Sequence, residues 1–301
     1  MVEGSSRPIV SVVLGSYQRR RFIEPALKSI RNELRGMPHE IVVVDGGSTD
    51  GSLKWLSAQK DVLLIIQHNR GEWMGAKIER RSWGYFMNLG FKAAQGKYVC
   101  MLSDDCLVIP GAIRNGVKTF ESALDRGAKV GAVAFYWRNW GQQKDYNVGL
   151  TMGHMFVNHG LYLNAALADV GYLDEENYKF YHADGDLCLR MSERGWDCID
   201  SPDSFIEHYP HANQKVRDSN VAVSRSDWEF YSSRWRTIEP KKCYMGRDWI
   251  IRSHVDPHST YKGFPRPNPL RAFVAASKAH LMSKARGGVR RALRLLRPAT
   301  R

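Results

Sequence analysis

Little in this 301-residue sequence would cross-link or anchor it. Cysteine occurs five times, as Cys100, Cys106, Cys188, Cys198 and Cys243. The number is odd, the spacing irregular, and no CxxC pair is present, which argues against a disulfide framework and a zinc site. Free thiols in a reducing cytosol are the expectation, and a chain of this length buries enough core without cross-links. Long apolar runs are missing too: none approaches the ~20 residues of a membrane-spanning helix. Residues 1–8 contain no apolar h-region, so no secretory signal is expected and the expected location is cytoplasmic. Acidic residues are absent from 257–301, which hold eleven Lys or Arg. The formal net charge is +13, so that tail supplies +11 and leaves the rest near +2. A uniformly basic nucleic-acid binder would look different, and no nucleic-acid partner is expected.

The first half alternates β-branched runs with helical patterns. The segments 9–14, 41–44, 62–67, 98–102 and 130–136 read as strands; 22–34, 52–59, 83–94 and 110–126 read as helices. The fold class is therefore α/β, with a mostly parallel central sheet and helices on both faces. In such sheets ligands bind at the carboxyl ends of strands, which directs attention to 15–19, 45–51 and 103–106. From 136 to 181 the pattern loosens and aromatic residues accumulate. A short helix follows over 185–194 and a strand over 205–208. Beyond Pro210 the sequence is polar and irregular, and Pro265, Pro267 and Pro269 mark a linker. After it, Leu281, Ala285, Val289, Ala292 and Leu296 share one helical face and Arg286, Arg290, Arg291, Arg294 and Arg297 the other. That pattern fits a helix lying on an anionic membrane surface over 271–301, or a terminal helix packed on protein.

Four strand-end elements carry candidate chemistry. Gly15-Ser16-Tyr17-Gln18-Arg19 offers free backbone N–H groups to an anion, or is an ordinary βα loop. Asp45 ends a hydrophobic strand before a Gly/Ser/Thr-rich stretch to Ser52; its carboxylate suits a nucleobase N–H, and a structural turn is the other reading. Asp104 and Asp105 end a central strand, where adjacent carboxylates repel and a divalent cation relieves the repulsion; a solvated turn competes. In His182-Ala183-Asp184-Gly185-Asp186-Leu187-Cys188-Leu189-Arg190, an i,i+4 ion pair accounts for Asp186 and Arg190. Asp184 is not needed for that pair and is a candidate base, or a helix cap.

Together these elements resemble the family-2 glycosyltransferases, with their GT-A nucleotide-sugar fold. The resemblance runs from about residue 9 to 208. It rests on Ser16-Tyr17-Gln18-Arg19, on Asp45 to Ser52, on Asn88, Gly90, Ala94 and Gly96, on Ser103-Asp104-Asp105, and on 183–190. Three positions depart from the pattern. Gln18 stands for the common Asn and Ala183 for the usual Glu. The stretch 70–81 is longer than usual, with room for a specific contact. His208, soon after a strand, matches a position where the family often has a His.

The resemblance implies a metal-dependent, inverting transfer from a nucleoside-diphosphate sugar to a hydroxyl of a glycan or lipid-linked glycan, as in cell-surface polysaccharide synthesis. It implies Ser16, Tyr17, Arg19, Asp45, Gly46, Asn88 and Asp104 on the donor, with Asp45 at the base. Asp105 and His208 are implied as ligands of Mn²⁺ or Mg²⁺, and Asp184 as the catalytic base. The acceptor is expected over 136–181, with Trp137, Trp140 and His182 against it; core packing is the other account of these aromatics. The expected organisation is a GT-A catalytic domain over 1–210 (donor site about 9–106, acceptor region about 136–208), an irregular extension over 211–264, and a Pro-rich linker with a basic amphipathic helix over 265–301. A non-catalytic nucleotide-sugar or glycan-binding scaffold is the first alternative and a sugar nucleotidyltransferase the second. The latter would be expected to have a first loop richer in glycine and basic residues than 15–21.

Overall fold

The structure, a computed structural model, describes residues 7–69, 71–140, 143–209, 218 and 220–253. The proline linker and the tail over 271–301 lie outside the described residues. The chain begins with β1 (Val10–Ser16), α1 (Arg20–Leu34), β2 (His39–Asp45), α2 (Ser52–Leu56) and β3 (Val62–Ile66). A small hairpin, β4 (Glu72–Trp73) and β5 (Ala76–Lys77), precedes α3 (Trp83–Ala93). Next come β6 (Tyr98–Ser103), β7 (Cys106–Val108), α4 (Ala112–Asp125), β8 (Val130–Asn139), β9 (Tyr146–Thr151), β10 (His154–Met155) and β11 (Gly160–Leu163). The chain continues through α5 (Asn164–Asp169), α6 (Ala183–Glu193), β12 (Asp197–His208), α7 (Ser224–Arg234) and β13 (Trp249–Arg252).

The main sheet runs β10-β9-β8-β11-β6-β1-β2-β3. Strands β6, β1, β2 and β3 are parallel, as expected from their alternation with helices. β11 is inserted antiparallel between β6 and β8, and β12 runs parallel along β8. Ser16 lies opposite Asp45 and Gly15 opposite Ser103. Three loops therefore leave the sheet at one level and on one edge.

Two apolar layers cover the sheet. Val10, Val12 and Leu14 of β1 pack with Ile23, Leu27 and Ile30 of α1 and Phe120 of α4. Val13, on the opposite face by strand alternation, joins Phe86, Met87 and Phe91 of α3 and Leu187 of α6. Glu33 ties α1 to α4: its buried carboxylate accepts from the N–H groups of Gly111, Ile113 and Arg114 at the start of α4. An acidic group there is favoured by the helix dipole and satisfies otherwise unpaired donors.

The segment 211–264 was expected to be irregular, and the structure corrects this. α7 is a three-turn helix, and β13 pairs antiparallel with β9 in the central sheet. The sheet thus includes residues beyond 210. α7 carries no apolar stripe; it is held by buried Tyr231, the following Trp235, and the buried Asp227 carboxylate. Its polar sequence, SRSDWEFYSSR, hides those anchors. β12 is also longer than the expected 205–208, because its first half follows β8 before a register shift between Ser201 and Phe205.

The Asn88–Gly96 segment has a packing explanation. A Cβ on Gly90 would stand 2.5 Å from Val13 Cγ1, and one on Gly96 would stand 2.6 Å from the Ser11 nitrogen. Bare backbone is what lets α3 and its exit lie on β1. Gly90→Ala should therefore destabilise the fold by about 1–3 kcal/mol through overpacking. Urea unfolding checks this: the midpoint should fall with an unchanged slope.

Candidate active site

The loop after β1 and the loop after β2 are bound to each other. The Gln18 N–H donates to Ser48 Oγ at 2.8 Å, and the Arg20 N–H donates to Asp50 Oδ2 at 2.9 Å. Gln18 has φ 58°, a left-handed conformation in which Asn is the better tolerated side chain. Its amide nitrogen donates to Thr49 Oγ1, so the departure from Asn keeps a polar contact between the loops. Gly46 lies against the Tyr17 ring, where a Cβ would come within 3.0 Å of Tyr17 Cδ2.

Asp45 does not reach the cavity these loops border. Its Oδ1 accepts from the N–H groups of Gly47 and Ser48, its Oδ2 accepts from Ser48 Oγ, and the residue is fully buried. In this structure its carboxylate is held by its own turn. Gly46, the next residue, lines the cavity instead.

Asp104 and Asp105 are each 6% exposed. Arg19 stands between them, with Nη1 3.2 Å from Asp105 Oδ2 and Nε 3.9 Å from Asp104 Oδ1. One guanidinium does not balance two buried carboxylates. Burial pushes Asp104 up to about 7, with Arg19 opposing and the charge of Asp105 adding to the rise. Asp104 Oδ2 and Asp105 Oδ1 are buried with no hydrogen-bond partner. Strand pairing brings His208 to the same place. β12 runs antiparallel to β7 with His208 opposite Cys106, and the Tyr209 N–H donates to the Asp105 carbonyl. His208 Nδ1 lies 2.8 Å from Asn139 Oδ1, and Nε2 lies 3.6 Å from Asp105 Oδ1. With the amide in that orientation Nδ1 donates to Asn139 and Nε2 faces the Asp105 carboxylate. Two carboxylates and an imidazole oriented by an amide are donors of the kind that Mn²⁺ or Mg²⁺ accepts. Among the described residues no group of three or more His, Cys, Asp or Glu side chains is placed to hold a metal ion. An ion bound there would need further ligands, such as phosphate oxygens.

At the other end of the cavity α6 begins. His182 precedes it with φ 68°, and Asp184 sits in its first turn. Asp184 Oδ1 accepts from the Gly185 N–H, and burial raises its pKa to about 6. Asp186 is fully buried: Oδ2 accepts from Arg190 Nε, and Oδ1 accepts from the Tyr178 hydroxyl and Trp235 Nε1. Ala183, in place of the usual Glu, is fully buried in the apolar core.

The cavity has a volume of about 500 Å³. Ser16, Tyr17, Arg19, Gly46, Asp104, Asp105, Trp137, His182, Asp184 and His208, all singled out from sequence, line it. Two others do not. Asn88 binds Leu173 and Glu175 and joins α3 to the loop before α6. Trp140 packs on Tyr209 at 6.0 Å, away from Trp137. Sequence reasoning missed several residues. Asn69, Arg80 and Arg81 line the cavity; Asn69 Oδ1 accepts from the Arg81 N–H, and Arg80 donates to Asn220. Asp227, on α7, accepts from the N–H groups of Lys179, Phe180 and Tyr181 and so holds the loop that delivers His182 and Asp184. The 70–81 stretch had signalled a specific contact; Asp227 lay in sequence with no pattern to mark it.

A family model described as Glycosyl transferase family 2 matches residues 11–165, more than half of the 301. The chain belongs to glycosyl transferase family 2. The matched part of this family-2 chain contains Asp104, Asp105 and Trp137; His182, Asp184 and His208 follow it. TuaG of Bacillus subtilis (strain 168), a glycosyltransferase named for teichuronic acid biosynthesis, is 30% identical over 105 residues, which are 33% of this chain and 36% of TuaG. The chain spans about a third of the length of the curated relatives it matches. Among solved structures, the mannosyltransferase PcManGT from Pyrobaculum calidifontis, in complex with GDP-Man and Mn²⁺, superposes with a TM-score of 0.56 at 19% identity, over 78% of this chain and 66% of that one. S. aureus TarS 1–349, in complex with UDP-GlcNAc, gives a TM-score of 0.52 at 16% identity, over 78% and 68%. At these identities the likeness is one of fold: the family-2 chain has the central sheet and flanking helices of both.

Proposed function

We propose that this family-2 chain is a metal-dependent, inverting glycosyltransferase that moves a sugar from a nucleoside diphosphate to a hydroxyl of a glycan or lipid-linked glycan. The observation that carries the reading is one cavity lined by Asp104 and Asp105, each with a buried oxygen that makes no hydrogen bond, by His208, and by Asp184. Nucleotide-sugar and Mn²⁺ complexes of the fold neighbours support it, and the name of TuaG supports a glycan acceptor.

Tyr17 and Gly46 border the nucleoside side, while Arg19, Arg80 and Arg81 give the cavity positive charge for a diphosphate. Asp105, with Asp104 and His208 beside it, would hold Mn²⁺ or Mg²⁺, which neutralises charge on the departing diphosphate. Asp184 takes the proton of the acceptor hydroxyl. The oxygen forms its bond to the anomeric carbon on the face opposite the leaving group, and the bond to the diphosphate oxygen breaks. Trp137 and His182, which both line the cavity, are assigned to the acceptor. The basic tail outside the described residues supports attachment to an anionic leaflet on the cytoplasmic face, each basic residue contributing about 1 kcal/mol. Among the described residues no helix is long and apolar enough to cross a membrane.

Four outcomes follow from this reading. Transfer should stop in chelator and return with Mn²⁺ or Mg²⁺, and Asp105→Ala should stay inactive with either ion; activity without metal refutes the assignment. Asp184→Asn should lower turnover by roughly 10²–10⁴-fold while donor affinity in calorimetry stays near that of the parent. Because Asp184 must be ionised to accept a proton, and its pKa is raised to about 6, parent turnover should fall as pH drops through that value and level off above it. Vesicle co-sedimentation tests the tail: the full chain should bind anionic vesicles at low salt, and a chain ending at Pro269 should not.

A further inference from the structure

One aromatic residue beside the cavity has no role in the reaction described above. Trp228, on α7, is 48% exposed. Single exposed apolar side chains are ordinary and need no explanation; Trp228 differs in what it packs on. Its ring lies 5.3 Å from that of His182 and 6.0 Å from that of Tyr231. His182 in turn stacks on Tyr231 at 5.0 Å with 27° between the planes. His182 lines the cavity two residues before Asp184, whereas Trp228 stands outside the lining. The two rings therefore lead from the protein surface to the acceptor end of the cavity.

The backbone shares in this arrangement. His182 has φ 68° and ψ −4°, a left-handed conformation that a non-glycine residue adopts at a cost. Asp227, next to Trp228 in sequence, holds the N–H groups of residues 179–181 and so fixes the approach to that turn. Strain of this kind persists where the surroundings enforce it, and it collects at sites that bind or react. Burial keeps His182 below its ordinary pKa, so the ring is neutral at pH 7.

We infer that Trp228, backed by His182, is an acceptor-side platform that takes a pyranose ring of a glycan and presents a hydroxyl of that ring to Asp184. A pyranose has an apolar C–H face and a polar rim, and an indole offers a broad apolar face that loses little conformational freedom on binding. A ring stacked on the outer part of this platform covers the exposed indole and leaves the rest of the glycan in solvent. The inference rests on the transfer reading, with Asp184 as base.

The test uses the full chain with Mn²⁺ and measures two affinities. Calorimetry with UDP- and GDP-sugars reads donor binding; saturation-transfer NMR with a panel of methyl glycosides, in the presence of the bound nucleotide, reads acceptor binding. At least one glycoside should bind the parent. Its affinity should fall about tenfold in Trp228→Ala, as expected for loss of one stacked ring. Trp228→Leu, which keeps apolar bulk over Tyr231 without a flat face, should lose as much, and Trp228→Tyr should retain most of the affinity. Donor affinity should be the same in all four proteins. If the parent binds donor but no glycoside, or binds a glycoside equally well after Trp228→Ala and Trp228→Leu, the platform is refuted. If the parent binds no nucleotide sugar, the transfer reading itself fails and the platform falls with it.

Discussion

Parallel strands release their chains at one edge, and in this protein that constraint gathers the charges of the site. β1, β2 and β6 are hydrogen-bonded in register, with Ser16 opposite Asp45 and Gly15 opposite Ser103. The loops that follow must therefore share one small region whatever their sequences. They bring three carboxylates there, and each is handled differently. Asp45 is absorbed by backbone donors of its own turn. Asp104 and Asp105 share Arg19, and the excess negative charge appears as the raised pKa of Asp104.

The second half of the chain answers that excess. β12 follows β8 and then, after its register shift, pairs with β7, so that His208 arrives beside Asp105 by backbone pairing alone. Asn139, at the end of β8, orients the imidazole. Asp105, His208 and Asn139 are thus brought together by strand ends, and their placement depends on the sheet more than on side-chain packing.

Much of this was legible in the sequence because it is local. Hydrophobic runs alternating with helical periods give the parallel sheet, and the strand-end rule then directs attention to loops that do converge. What escaped was set by side-chain direction or by distant partners. Asp45 ends its strand as a base-binding carboxylate would, yet turn geometry alone decides where its oxygens point. Trp137 and Trp140 looked like a pair, but residues three apart on an extended chain point to opposite sides, and Trp140 packs on Tyr209. Asn88 binds residues 85 and 87 positions away, a contact no local pattern announces. α7 lacks an apolar stripe, so its buried Asp227, Tyr231 and Trp235 had no period to reveal them.

The two walls of the cavity are built to different mechanical standards. Asp105, in the turn between β6 and β7, and His208, at the end of β12, are held by the backbone pairing of β7 with β12, which opens only if the sheet itself is broken. His182 and Asp184 stand at the start of α6, where α7 and the residue after it hold the chain through side chains: Asp227 accepts from the N–H groups of residues 179–181, Tyr231 stacks on His182, and Trp235 donates to Asp186. The cavity accordingly has one wall tied to the backbone of the sheet and one clamped by side chains of α7 and Trp235, so a substitution on α7 reaches the Asp184 wall without touching the strands beside the acidic pair.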